Sequence, residues 1–146
     1  MVIVYAVKGF DGANLPLDNP LQVPAHRYSG RVLASGKEAV RTTPKFERVR
    51  LLGDVVFVSG TAAIKGEDSE FSEDTRVQAL GAIDVVEHLV APSNISPNCS
   101  AFRFGYLRVY VRRPQDLEPV REMFISHFRD APIHFLQADI CRPELL

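Results

Sequence analysis

The stretch Val55-Val56-Phe57-Val58-Ser59-Gly60-Thr61-Ala62-Ala63-Ile64 decides how the rest of the chain is read. Four apolar strand formers run into a corner of small side chains, and the apolar pattern resumes at Ala62-Ala63-Ile64. This predicts a strand buried on both faces. Ser59, Gly60 and Thr61 put no bulk at its end, so a ligand or another backbone has access there to a hydroxyl and to amide N–H groups. A core strand closing in a plain turn accounts for the same residues, and the local pattern leaves both readings open. Just upstream, Phe46 to Leu52 reads as a strand, and Gly53-Asp54 supplies a two-residue hairpin turn into Val55.

Downstream, Ser72 followed by Glu73 and Asp74 offers an N-cap with carboxylates in the first turn, where they complement the helix dipole. Ala79, Ile83, Val86 and Val90 then share one helical face, with Arg76, Asp84, Glu87 and His88 turned elsewhere. Pro92 to Pro97 reads as a loop. Ala101 to Arg112 is a strand whose alternation changes phase at Gly105, which predicts a bulge. Pro114 to Asp130 gives a second amphipathic helix, with Leu117, Val120, Phe124 and Phe128 on one stripe. Pro132 to Arg142 closes the chain as an extended segment. At the other end Val2 to Val7 reads as a strand. From Gly9 to Pro44 the signal is irregular, because Pro16, Asn19-Pro20, Pro24, Gly30, Gly36 and Pro44 break any period, with room for a short extended segment at Gln22 to Tyr28. The expected class is α+β: a single mixed sheet with two helices packed on one face. One structural domain is expected, with an N-terminal strand and irregular arm over 1–45 and the main body over 46–146.

A chain of 146 residues is of ordinary single-domain size. Charged residues make up 24%, the formal net charge is −1 and the pI is near 6.4, so no basic footprint argues for nucleic acid or an anionic membrane. No apolar run approaches the roughly 18 residues of a membrane span. The Met1 to Val7 start lacks the basic flank and cleavage region of a signal peptide, so a cytoplasmic location is expected. Cys99 and Cys141 read as free thiols. His26, His88, His127 and His134 fall at no metal-ligand spacing, and neither a dinucleotide nor a phosphate-loop fingerprint occurs, so no metal or cofactor is expected. A triad composed from Ser59, His134 and Asp139 lacks a nucleophile elbow.

The hairpin Gly53-Asp54-Val55-Val56-Phe57-Val58-Ser59-Gly60, the helix after it and the strand-helix-strand order to Arg142 resemble the RidA/YjgF family, small α+β domains that assemble as homotrimers. Three segments are more similar to the C-terminal half of the chorismatases, which hydrolyse chorismate to a hydroxybenzoate-type acid and pyruvate. These are Asn19-Pro20-Leu21-Gln22-Val23-Pro24-Ala25-His26-Arg27-Tyr28, Ser59-Gly60-Thr61-Ala62-Ala63-Ile64-Lys65-Gly66 and Ala138-Asp139-Ile140-Cys141-Arg142-Pro143-Glu144-Leu145-Leu146. The resemblance implies a RidA-like, chorismate-mutase-like fold, a homotrimer, and a small-carboxylate pocket at a subunit interface. In the imine-deaminating RidA enzymes an arginine after a proline holds the substrate carboxylate; here Pro132-Ile133 is followed by His134, a weaker and pH-dependent anion partner. Phe46 stands at the family's aromatic position without a phenolic hydroxyl, and Ser59 matches the family's serine. Cys141 matches a chorismatase pocket position that takes a small or thiol side chain. Tyr28, Tyr110, Arg112 and Arg41 match the aromatic and basic groups around the two carboxylates. The acidic proton donor of the chorismatases lies just past the Cys-Arg-x-Glu-Leu-Leu run, and this sequence stops at Leu146, leaving Glu144 as the carboxylate near the motif.

The chemistry that the resemblance implies sets requirements that the residues can be checked against, with solvated surface as the ordinary reading of any single arginine. A dianionic substrate needs two or more cationic or N–H donors, and Arg41, Arg108, Arg112 and Arg142 are candidates. Vinyl-ether cleavage needs a positioned general acid. The expected site lies between subunits and is lined by Ser59, Gly60, Thr61, Cys141 and an arginine. Three readings follow: a chorismatase-type enzyme, impaired or in need of a partner if the terminal acid is absent; a RidA-type deaminase of enamines and imines; and a non-catalytic trimer that binds a small carboxylate, or a structural fragment of a larger enzyme.

Overall fold

Within the stretch expected to be irregular, Asn14–Leu17 forms a strand, β1, in the computed structural model, which describes residues 8–30, 43–70, 73–95, 103–140 and 142–146. β1 pairs antiparallel with β2 (Val49–Leu52), placing Pro16 opposite Arg50. Proline is tolerated because β1 is an edge strand among the described residues, where no described strand needs its missing N–H. The Gly53-Asp54 turn leads from β2 into β3 (Val55–Val58), with Leu52 opposite Val55. Gly53 takes a φ of 58°, a conformation in which a side chain would be strained.

β3 is not buried on both faces. Val55 is 53% and Val58 37% exposed, and among the described strands β2 is its only neighbour in the order β1-β2-β3. The chain then bends at Ser59 to Thr61 and forms a tight hairpin of β4 (Ile64–Lys65) and β5 (Asp68–Ser69), with Gly66 at a φ of 60°.

Helix α1 (Thr75–Val90) is capped by Asp74, whose carboxylate accepts from the Arg76 N–H; the cap therefore falls two residues beyond Ser72. Its buried arc includes Ala79, Ile83 and Val90, and also Val85 and Leu89, both fully buried. Pro92–Ile95, expected as loop, forms a one-turn helix, α2, with Ile95 buried. Of the strand expected over Ala101 to Arg112, whose first two residues lie outside the described ones, the described part is strand at β6 (Leu107–Val111), and Gly105 lies at a bend before it, so the change of phase precedes β6 and is not a bulge within it. A 3-10 turn at Pro114–Asp116 opens α3 (Leu117–His127), which crosses over to β7 (Ile133–Gln137), parallel to β6 with Val109 opposite Phe135.

Ala79, Val109, Val111 and Val120 form the buried cluster between α1, α3 and this ribbon, joined by Leu117, Phe124, Ile133 and Phe135. Burying aliphatic side chains of this size contributes about 1.5–3 kcal/mol each. The single mixed sheet of the sequence reading is corrected: the described strands form three small sheets, β1-β2-β3, β4-β5 and β6-β7. The α+β class stands. The strand read at Val2 to Val7, the Ser72 cap, Arg41, Cys99 and Cys141 fall outside the described residues.

Between β1 and β2 the path of the arm's described residues, up to Gly30, is set by hydrogen bonds. The Asn19 side-chain amide donates to the Val85 carbonyl at 3.0 Å, and that of Asn94 to the Asp18 and Leu89 carbonyls. Gln22 forms a parallel bridge with Gly66, reinforced by Val23 N–H to Gly66 O and Gly66 N–H to Leu21 O. Where an extended segment was expected at Gln22 to Tyr28, Ala25–Arg27 is a 3-10 turn. Its C-cap is Tyr28, which is thereby delivered beside the β4-β5 hairpin.

Candidate anion site

Tyr28 has two guanidinium groups beside its ring. Arg48, immediately before β2, is 3% exposed and donates from Nη2 to the Tyr28 hydroxyl. Its Cζ lies 5.7 Å from the Tyr28 ring centroid and 5.0 Å from that of Phe46. Arg142 approaches the same tyrosine ring, with Cζ 5.5 Å from the centroid. Arg142 donates from Nη1 to the Glu67 carbonyl at 2.8 Å and the Ser69 hydroxyl at 3.0 Å.

Neither guanidinium has an ion pair among the described residues, and the Arg48 Nε–H is buried with no acceptor. A buried cation compensated only by ring faces and a phenol is expensive unless an anion completes it. An open depression of about 490 Å³ adjoins the cluster, lined by His26, Lys45, Phe46 and Glu47. Lys45 and His26 add cationic and hydrogen-bonding groups at its rim.

The bend that opened the sequence reading is tied to this cluster through the backbone. Ser59 N–H donates to Arg48 O at 2.9 Å and Ser59 Oγ to Glu47 O at 2.5 Å, while Thr61 Oγ1 donates to Ser59 O at 3.0 Å. These hydroxyls brace the bend against the start of β2. Gly60 is exposed, and a Cβ there would meet nothing within 4 Å, so the bend faces open space.

The remaining sequence candidates are distributed elsewhere. Arg112 donates to the Pro143 carbonyl at 2.6 Å, and its Nε is 3.8 Å from the fully solvated Asp139 carboxylate, so it braces the C-terminal turn. The Glu144 carboxylate accepts from Ser69 Oγ at 2.8 Å, and its carbonyl from the Gln78 side chain. Tyr110 and His134 lie on the outward face of the β6-β7 ribbon, where the His134 ring is 5.2 Å from Tyr106. Among the described residues no hydrogen bond, ion pair or ring contact joins these two to the Tyr28 cluster.

Arg48 was missed by the sequence reading. It shares a strand-like stretch with Arg50, two residues on, and nothing local separates them. Arg50 pairs with Glu47 at 2.8 Å at the surface, whereas Arg48 is covered by the arm's Tyr28.

With this geometry in hand, comparison with known proteins is informative. No family model matches the chain. It is 31% identical to a 3-hydroxybenzoate synthase of Streptomyces hygroscopicus over 159 aligned positions, covering 99% of this chain and 45% of that protein. It is 27% identical to a chorismatase of Streptomyces rapamycinicus, again over 99% of this chain and 45% of the relative. A chorismatase crystal structure superposes with a TM-score of 0.77 at 27% identity, covering 92% of this chain and 42% of that one. The chain is related to the chorismatases. The chorismatase likeness extends through the arm that carries Tyr28 as well as the body, and the chain spans about half the length of the curated relatives it matches. Among its described residues no helix is long and apolar enough to cross a membrane.

Proposed function

We propose that this chain binds a small dicarboxylate of the chorismate class, with Arg48 and Arg142 each taking one carboxylate and Tyr28 between them. Buried Arg48, lacking any carboxylate partner among the described residues, carries the reading. A planar guanidinium presents paired donors matched to a carboxylate, and two of them flanking one aromatic ring suit a ring-bearing dianion. The Tyr28 hydroxyl accepts from Arg48 and keeps its own proton to donate to the ligand.

The reaction that fits the relatives' names is hydrolysis of chorismate to a hydroxybenzoate-type acid and pyruvate. It requires an acid to protonate the vinyl ether. Near Arg142, the Glu67 and Glu144 carboxylates accept from Ser29 and Ser69, so neither aims a proton at the cluster. Binding is therefore expected to be stronger evidence of function than turnover, and pyruvate release to be slow.

The same reading places the protein in the cytoplasm, with a RidA-like core that assembles as homotrimers. Support for association comes from the β6-β7 ribbon: parallel strands are ordinarily covered on both faces, whereas Tyr106, Tyr110 and Leu136 are 49%, 41% and 37% exposed here. Cys141 and Arg41 belong to the proposed pocket by resemblance to the chorismatases.

Calorimetric titration with chorismate, coupled detection of pyruvate, and 2-aminoacrylate as a parallel substrate test the proposal. Chorismate binding that disappears in Arg48→Met supports it. Absence of chorismate binding at millimolar concentration defeats it, and ammonia release from 2-aminoacrylate would install the deaminase reading instead.

A further inference from the structure

Arg142 lies past β7 on a stretch that forms neither helix nor strand among the described residues, whereas Arg48 adjoins β2 directly. A side chain on such a stretch is held less precisely than one on a helix or strand, and its geometry has to come from elsewhere. Helix α1 supplies it. The Gln78 side chain, 6% exposed, donates from Nε2 to the Glu144 carbonyl at 2.8 Å and accepts at Oε1 from the Leu146 N–H at 3.0 Å. Bonds to the carbonyl before Leu145 and to the N–H after it reproduce the way a residue of a parallel strand brackets its neighbour, so one side-chain amide stands in for a strand. Leu145, bracketed in this way, is 2% exposed, and its own N–H donates to the Arg142 carbonyl at 3.2 Å. At the guanidinium, Ser69 Oγ accepts from Arg142 Nη1 at 3.0 Å and donates to the Glu144 carboxylate at 2.8 Å. An arginine can only donate, which fixes the direction of both bonds.

We propose, on the small-carboxylate reading of the site, that Gln78 and Ser69 are positioning residues: they hold the segment 142–146 against α1 and β5 so that the Arg142 guanidinium stays beside the Tyr28 ring for the second carboxylate of a dianion. Their effect on the ligand passes through Arg142. Arg48 is placed independently, by its burial and by the bond from Ser59 N–H to its own carbonyl at 2.9 Å. A ligand with one carboxylate therefore needs no help from segment 142–146, and a ligand with two does. The clamp sets selectivity for dicarboxylates over monocarboxylates, because a guanidinium that has to be ordered on binding gives back part of what its contact contributes.

The test titrates wild type, Gln78→Met, Ser69→Ala and Ser69→Thr with chorismate and, as the one-carboxylate probe, with benzoate. Phenylglyoxal modification of Arg142 relative to Arg48 is followed alongside by peptide mass spectrometry. Gln78→Met keeps an unbranched side chain of similar length and removes both bonds. It is expected to weaken chorismate binding about tenfold, to leave benzoate binding as in wild type, and to speed Arg142 modification relative to Arg48. Should the methionine variant not fold, Ser69→Ala, at a half-buried position outside α1, carries the same expectation. Ser69→Thr, which keeps the hydroxyl, is expected to behave as wild type. Equal losses for both ligands in Gln78→Met and Ser69→Ala, or no loss for either, overturn the proposal, since a merely structural role lowers both affinities together. Failure of the wild type to bind chorismate removes the small-carboxylate reading; the ratio of Arg142 to Arg48 modification in the same variants then decides whether Gln78 and Ser69 place Arg142, and an unchanged ratio shows that they do not.

Discussion

Replacing Arg48 by methionine is expected to make the protein more stable and less able to bind its ligand. The side chain is 3% exposed and its Nε–H has no acceptor, so the folded state carries a charge removed from water. The effective penalty for such an ion is several kcal/mol after relaxation. Three contacts offset it. The hydrogen bond to Tyr28 contributes about 1.5–3 kcal/mol as a charged-donor bond, and the ring contacts with Tyr28 and Phe46 about 0.5–2 kcal/mol each. Methionine keeps an unbranched stem that fills the same channel and has no charge to desolvate. With those contributions at the low end of their ranges, as the unpaired Nε–H argues, the balance favours the variant by about 1–2 kcal/mol, and for a chain of this length each kcal/mol raises Tm by about 2–4 °C.

The ligand response has the opposite sign. Chorismate at a hundred times its dissociation constant stabilises a single-site binder by about 2.7 kcal/mol, visible as a rise in Tm. Arg48→Met is expected to lose that rise, with affinity reduced by about one to two orders of magnitude for a missing charge-assisted pair. Arg48→Lys separates charge from shape: it keeps the buried cation but not the planar fork, so it is expected to gain no stability and still to bind poorly. Thermal and urea melts with and without chorismate measure both effects. A methionine variant destabilised by more than about 2 kcal/mol, with chorismate affinity unchanged, would refute the claim that Arg48 awaits an anion and would make it an ordinary buried brace.

Gly81→Ala is expected to destabilise by about 1–3 kcal/mol in urea melts, against the usual gain of up to about 1 kcal/mol for alanine in a helix. A Cβ there would sit 2.9 Å from the Ala63 Cβ and 2.5 Å from Glu70 Oε2, and the alanine cannot swing away. Asp74→Ala removes the N-cap of α1 and is expected to lower stability by about 1 kcal/mol, while Asp74→Asn retains most of it. The Lys65 ammonium is held above its ordinary pKa of 10.5 by hydrogen bonds first to Glu70 and then to Asp84, aided by their charge. A raised folded-state pKa contributes stability that is complete below 10.5 and is lost as pH climbs through the higher folded value. Melts taken across that alkaline range should show a decline that Lys65→Met lacks.

Elements defined by periodicity or by turn chemistry were legible in the sequence. The Gly53-Asp54 hairpin, α1 and α3 all follow from side-chain spacing and from one residue that must take a positive φ. The register of separate sheets was not legible, because the same apolar run fits a central strand or an edge strand. Val55 to Val58 became an edge among the described strands, with β2 on one side and no described strand on the other. β1 was hidden by Pro16, which reads as a breaker until an edge position makes its missing N–H irrelevant. Of the site candidates, Tyr28 and Arg142 meet in space although 114 positions apart in sequence, since 142 − 28 = 114. The side-chain amides of Asn19, Gln22 and Asn94 hold that arrangement in place, and such bonds leave no periodic trace.

The choice of Arg48 for the proposed anion site rests on burial and not on the absence of partners alone. Arg27, Arg76 and Arg103 also lack described ion pairs, but each is exposed and water completes its solvation. Arg50, Arg113 and Arg121 are matched to carboxylates three residues away on their own segments. Arg48 belongs to neither group: it is withdrawn from water and yet matched to no carboxylate in the described residues. Any anion entering beside Phe46 meets a guanidinium whose desolvation cost the fold has already met. On the proposed reading the attraction is local, so that a chain with a formal net charge of −1 would bind a dianion that its overall charge repels.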